Sequence, residues 1–272
     1  MEYMKFKITF QVTKPGQMLP LSYQYELSSW IYSLMAIGNS DFTDFLHQKG
    51  FASAGKKYKF FSFSQLCFPP KGFSIQGDKM KINAKEISFE ISFLMDNASQ
   101  NLIIGLFEKQ QMRLGDRQTQ VDLFVKSVEL LPEAILEQKT VKLSCSSPMV
   151  VSAPVIFGKK LQHRYLSPND AEFESYFVQN LIQKYVAATE HELIKPSAGA
   201  DSIPISFKLL SDKAAVKSRL IKLKANCPAE TKVKGFLFDF EIDAAPELIK
   251  LGYLSGFGHE NAMGFGSVKL IS

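Results

Sequence analysis

Two tandem α+β units, each in the order strand, helix, strand, strand, helix, strand, are predicted by three features of the sequence. Stretches of period-two alternation, such as Lys5-Phe6-Lys7-Ile8-Thr9-Phe10-Gln11-Val12, mark half-buried strands. Between them lie longer segments with apolar residues at helical spacing, closed by Gly, Asn and Pro. The pattern restarts after Pro132-Glu133-Ala134, so residues 1–132 and 139–272 are expected to be separate units. The element order is the ferredoxin-like one.

In the first unit the opening strand is followed by the Pro15-Gly16 turn and a helix from about Ser22, with Tyr25, Leu27, Ile31, Leu34 and Met35 available for its buried side. Gly38-Asn39 ends it. A shorter helix follows, with Ser40 or Asp41 as N-cap and Gly50 as its stop. Lys57 to Leu66 alternates as one strand, and a hairpin through Gly77-Asp78 leads to the strand Ile87–Phe93. Asn101 to Leu114 reads as a helix and Gln118 to Leu131 as the closing strand. In the second unit Val141–Ser144 and Met149–Val151 form a first strand interrupted by Pro148. Ser167-Pro168-Asn169-Asp170 starts a long helix from Ala171 to Thr189. Strands follow at Ile205–Leu210, Arg219–Lys224 and Lys234–Ile242, then a helix from Ala245-Pro246, with Pro246 suited to its first turn.

Composition excludes several classes. With 46% hydrophobic and 22% charged residues the chain has the balance of a globular protein. The 23 phenylalanines fall mostly in strand-like runs, where core packing is the simple reading; a few exposed ones could stack on bases. Three widely spaced cysteines, Cys67, Cys145 and Cys227, suggest a reducing compartment and no zinc site. No signal sequence and no membrane-length apolar run is present, so a cytoplasmic protein without membrane contact is expected. His-Glu-x-x-His, clustered carboxylates and Gly-x-Ser-x-Gly are all missing, and neither metal nor cofactor is expected.

The formal charge is +5, and its distribution says more than its size. Lys208, Lys213, Lys217, Arg219, Lys222, Lys224, Lys232 and Lys234 face only Asp212 and Glu230 in sequence. Lys139, Lys142, Lys159, Lys160 and Arg164 occur with no acid among them. Such runs can be solvated faces, or a surface that tracks phosphates.

Two glycine brackets, Gly256-Phe257-Gly258 and Gly264-Phe265-Gly266, enclose His259-Glu260-Asn261-Ala262-Met263. Glycine tolerates positive φ and lets backbone approach closely where a Cβ would intrude. A dinucleotide fingerprint would need a following helix and a downstream acid, but here Ser267–Ile271 reads as a final strand. No Gly-Lys-Ser or Gly-Lys-Thr closes a phosphate loop either.

This tandem bracket, together with the N-terminal strand, the Tyr25–Met35 helix, Phe45-Leu46-His47 and Phe60-Phe61-Ser62-Phe63-Ser64, resembles the CRISPR-associated repeat-processing endoribonucleases of the RAMP superfamily. The resemblance covers most of the chain, and implies two RRM/RAMP-type βαββαβ domains with a C-terminal glycine-rich loop. Glu260 stands where many members carry Lys. The resemblance implies cleavage of CRISPR precursor RNA within its repeats, without metal, leaving 5′-hydroxyl and 2′,3′-cyclic phosphate ends. A non-catalytic RAMP subunit that binds or caps guide RNA is the alternative. Repeat RNA is the implied partner, subunits of an interference complex are candidates, and monomer and homodimer both remain open.

Metal-free RNA cleavage needs a base for the 2′-hydroxyl, a donor for the leaving 5′-oxygen and positive charge at the phosphate. Read from its neighbours alone, His47 is more simply a surface histidine at a helix C-terminus. The resemblance implies otherwise: His47 as general base or acid, Tyr32 orienting the nucleophile or sharing the proton transfer, and Lys59 stabilising the phosphorane-like charge, with Lys57 as the alternative to Lys59. The glycine loop and the basic residues give, beside the resemblance, candidate RNA contacts at Lys57, Lys160, Arg164, Gly256, Gly258, Gly264 and Gly266, while His259 is open between a contact to phosphate or base and a solvent-exposed loop residue. His163 could at best touch RNA backbone, and His191 is given no role.

Overall fold

The computed structural model describes residues 4–134, 136–158, 160–195, 204–225 and 227–271. The first half contains β1 (Met4–Val12), β2 (Met18–Pro20), α1 (Gln24–Gly38), α2 (Ser40–Asp44), β3 (Phe51–Ser53), β4 (Lys56–Tyr58), β5 (Phe61–Phe63), β6 (Phe73–Gln76), β7 (Lys79–Ile82), β8 (Glu86–Phe93), α3 (Asp96–Glu108), β9 (Gln111–Gly115) and β10 (Gln120–Leu130). The second contains β11 (Thr140–Cys145), β12 (Ser152–Phe157), β13 (Lys160–Tyr165), α4 (Phe173–Glu190), β14 (Ser206–Leu209), β15 (Lys217–Leu223), β16 (Thr231–Leu237), β17 (Asp239–Asp243), α5 (Pro246–Ser255) and β18 (Val268–Leu270).

The first sheet runs β5-β8-β1-β10-β9 and the second β14-β17-β11-β18. Numbered within each unit, both have the ferredoxin-like order 2-3-1-4, the first extended by β9 at its edge. Each opening strand lies between its partners for a sequence reason: β1 alternates so that Phe6, Ile8, Phe10 and Val12 are buried. The helices α1 and α3 cover the first sheet, and buried side chains of both units join in one continuous core. Phe173, Phe177, Phe207, Phe238, Phe240 and Phe257 interlock in its second-unit part, with Phe177 stacked on Phe257 at a centroid distance of 5.6 Å. Most of the phenylalanines are thus core, as their alternating runs suggest.

Several expected boundaries shift for definable reasons. The strand expected over Lys57–Leu66 breaks at Phe60, a buried non-glycine residue at φ +52°, so β4 pairs with β3 and β5 with β8. Lys234–Ile242 likewise divides at Phe238. Its first half pairs with β15 as a hairpin and its second with β11 and β14 in the sheet. Both halves alternate with the same period, so periodicity alone cannot show the change of partner. Met149 does not continue β11 but exchanges backbone hydrogen bonds with Phe236 at 2.8 and 2.9 Å. The helix expected over Asn101–Leu114 starts at Asp96 and ends at Glu108, with Gln111–Gly115 forming β9 instead. Ser167–Asp170 is a turn, with Ser167 N–H donating to Asp170 Oδ2, before α4 begins at Phe173.

Candidate RNA-cleavage site

The short second helix is capped by Asn39, rather than Ser40 or Asp41: its side-chain oxygen accepts from Phe42 N–H at 2.9 Å. Its last turn, Phe45–Lys49, widens to π-helical geometry and closes with Gly50 N–H on Phe45 O at 2.7 Å. That turn carries His47, with Leu46 buried beneath it as an anchor. Gly50 sits at φ +58°, and a Cβ there would stand 2.8 Å from Tyr58 O and 3.0 Å from Lys59 Nζ. Glycine therefore lets Tyr58 and Lys59, at the end of β4, lie against the turn bearing His47.

Tyr32, on the matching face of α1, meets His47 edge to face at a centroid distance of 5.3 Å. Lys59 Nζ donates to the His47 backbone carbonyl at 3.1 Å, and Lys57 Nζ to that of Gln48 at 2.9 Å. Burial, reinforced by the neighbouring Lys57 charge, lowers the Lys59 ammonium to about 8. Burial raises the Tyr32 phenol above its ordinary value, so it remains protonated at neutral pH. His47 itself is exposed.

These residues line one cleft of about 1000 Å³ whose other walls come from the second unit: α4, the β12–β13 hairpin and His259–Met263 of the glycine loop. The loop is fixed by two side chains. Lys184 of α4, 3% exposed, donates to Gly256 O and, at 2.6 Å, to Asn261 Oδ1. Asn261 Nδ2 donates to Phe257 O at 3.0 Å and Phe265 O at 3.1 Å, joining the two brackets. Across the cleft, Ser28 Oγ donates to Ala262 O at 2.7 Å, one helical turn before Tyr32.

All four bracket glycines have φ between +71° and +86° and are buried. Their close approaches are to the protein itself. A Cβ at Gly258 would meet Val150 O at 2.3 Å, and one at Gly266 would meet Phe257 O at 1.9 Å. Phe257 and Phe265 are anchors in two different apolar clusters. Of the bracket glycines, Gly258 lines the cleft, whereas Gly256, Gly264 and Gly266 lie behind it.

His259 lines the cleft with its Nδ1 buried and unpartnered. Desolvation, then the nearby Lys184, Lys56 and His163, lower its pKa to about 4, so it is a neutral hydrogen-bonding group rather than a cation. Arg164 is engaged elsewhere, paired with Glu172 and 3.9 Å from Asp170. Lys159 lies outside the described residues, and of Lys160 only the backbone is described. His191, given no role from sequence, bonds Ala52 O at 2.9 Å and packs on Phe51, securing the β3–β4 hairpin to the end of α4. Sequence reasoning missed Lys56, Asn180, Gln183 and Lys184 as cleft residues, although the α4 polar positions recur at helical spacing. Among the described residues no group of three or more His, Cys, Asp or Glu side chains could hold a metal ion. None of the described helices is long and apolar enough to cross a membrane.

Two ferredoxin-like units meeting at a cleft rimmed by a glycine-rich loop are a fold shared with a solved RAMP protein. The family model described as CRISPR-associated protein Cas6, N-terminal, matches residues 18–129, and that for the Cas6 C-terminal region matches residues 131–270. The chain belongs to the Cas6 family. It is 28% identical over 267 residues to CRISPR-associated endoribonuclease Cas6 1 of Methanocaldococcus jannaschii, covering 98% of this chain and 92% of that one. It is 24% identical to CRISPR-associated endoribonuclease Cas6 of Pyrococcus furiosus, covering 93% and 83%. A Cas6-related structure from Pyrococcus furiosus superposes with a TM-score of 0.81 at 22% identity, covering 100% of this chain and 99% of its own. A RAMP protein described as binding different RNA substrates gives 0.79 at 21%, covering 99% and 100%.

Proposed function

We propose that the protein is an endoribonuclease that cleaves CRISPR precursor RNA within its repeats, without a metal ion. The observation that carries this reading is the meeting of Tyr32, His47 and Lys59 from the first unit with the glycine-loop rim of the second in one cleft. Repeat RNA lies in that cleft with its backbone against Lys56, Lys57, Lys59 and Lys224. The 2′-oxygen attacks the adjacent phosphorus, the bond from phosphorus to the 5′-oxygen breaks, and the proton lost by the 2′-hydroxyl is balanced by one delivered to the leaving oxygen. His47 moves one of these protons, while protonated Tyr32 orients the ring and the attacking hydroxyl. The Lys59 cation stabilises charge on the phosphorane. The products are a 5′-hydroxyl and a 2′,3′-cyclic phosphate.

The names of the Methanocaldococcus and Pyrococcus relatives support this activity for the present chain. The test incubates labelled repeat RNA with the protein in EDTA, beside His47→Ala. Wild type should cleave under chelation, and the variant should lose about 10²–10⁴-fold in rate while still binding RNA. Cleavage by both proteins removes His47 from the mechanism. Binding without cleavage by either makes the protein a non-catalytic RNA-binding subunit.

A further inference from the structure

Helix α4 turns a polar face toward the cleft between the two units. Tyr176, Gln179, Asn180, Gln183 and Lys184 recur at spacings of three and four residues, and all five line it. On the other side of the same helix Phe173, Phe177, Leu181, Ala187 and Ala188 are buried in the core. An ordinary amphipathic helix gives its polar face to bulk solvent. Here Asn180 is only 3% exposed, and its side-chain oxygen has no hydrogen-bond partner among the described residues. An orphaned buried amide is rare in folded proteins.

The chemistry of this face differs from that of the other walls. Lys184 is committed to the glycine loop, and Gln183 Oε1 accepts from Lys56 Nζ at 2.6 Å, which leaves the Gln183 amide NH₂. What remains are uncharged amides and one phenol. Amides present a donor and an acceptor side by side, the pattern that base edges present, whereas phosphates are met by the lysines opposite.

We propose that the cleft-facing side of α4 is the strip that reads base identity in a single-stranded stretch of the RNA, with Gln179, Asn180 and Gln183 hydrogen-bonding base edges and Tyr176 offering a ring for stacking. The proposal rests on the endoribonuclease reading. It divides the labour of the cleft: α4 discriminates, while Lys57 and its neighbours hold backbone irrespective of sequence.

The experiment measures binding by the full-length His47→Ala protein, which keeps RNA intact, to two RNAs: the repeat from the genome's own CRISPR array and a scrambled RNA of equal length and composition. Gln179→Ala and Asn180→Ala should each weaken repeat binding about tenfold while changing scrambled-RNA binding less than twofold. The salt dependence of repeat binding should stay unchanged. Lys57→Ala should weaken both RNAs alike and reduce the slope of log affinity against log salt by about 0.7. Gln179 is exposed, so its variant reports even if Asn180→Ala unfolds. Equal losses on both RNAs, or no loss on the repeat, overturn the proposal, as does a parent protein with no preference for the repeat. The cleavage reading fails separately, if His47-intact protein does not cut the repeat.

Discussion

At the scale of single residues, the chemistry proposed for Lys59 rests on local backbone geometry. It lies just before the positive-φ bend at Phe60, with glycine at position 50 clearing space for its side chain, and it is held near His47 by a backbone carbonyl. Its ammonium titrates near 8 because it is partly desolvated and stands beside Lys57. If the cation stabilises the transition state, kcat/KM, which reports groups of the free enzyme, should fall as pH rises through about 8. Lys57→Gln removes one of the two causes of the depression and should move this alkaline limb to higher pH. A limb that stays fixed in the variant would assign it to another group. Only the resemblance singles out Tyr32, His47 and Lys59 in the sequence, and the structure brings the three to one cleft. From its neighbours His47 was a surface histidine, and nothing in the spacing of Tyr32, His47 and Lys59 shows that a π-helical turn brings them together.

At the scale of elements, strands and helices were legible where a single partner face decides the pattern, as in β1, β10 and α4. They were misjudged where a continuous alternating run changes partner, at Phe60 and Phe238. The glycine loop was legible as a place of close backbone approach, but the sequence does not say to what. The approach is to Val150 and Phe257, and the loop reaches the cleft through its rim. The loop's dependence on Lys184 has a measurable signature. Burial lowers this lysine from the usual 10.5 to about 7 in the folded protein. Between these values the unfolded chain holds a proton that the folded one has shed, so Lys184 contributes stability that rises with pH from about 7 toward 10.5. Its contribution is flat below 7, where both states are protonated. Urea unfolding from pH 6.5 to 9 should show the wild type gaining on Lys184→Met by at most about 1.4 kcal/mol per pH unit. This window lies above the titration of His259, near 4. Parallel curves would show that Lys184 is already neutral, or still charged, throughout.

At the scale of the whole molecule, the cleft exists only because the two units are held in one arrangement, and a buried cation helps to fix it. Lys5 of β1, its side chain 3% exposed, pairs with Glu90 of β8 at 2.9 Å, donates to Val268 O of β18 at 3.1 Å, and lies 4.7 Å from the Tyr253 ring centre on α5. One side chain thus joins the first sheet to the last strand and last helix of the second unit. Removing either partner of such a pair is not symmetric. Glu90→Gln leaves the buried ammonium without its counter-charge and should cost about 2–4 kcal/mol, moderated because Glu90 is 34% exposed. Lys5→Met removes the cation, fills its volume and leaves a carboxylate that can reach water, so it should stay within about 1 kcal/mol of wild type. Combining the two changes should recover most of the Glu90→Gln loss, because the orphaned charge is gone. Denaturant unfolding of the four proteins measures all three terms. Equal losses in the two single variants with simple additivity would mean that Lys5 packs in this junction without acting as a charge, and the hold between the units would then rest on apolar contact and on other hydrogen bonds between them, among them Ser28 to Ala262, His191 to Ala52 and Lys56 to Gln183.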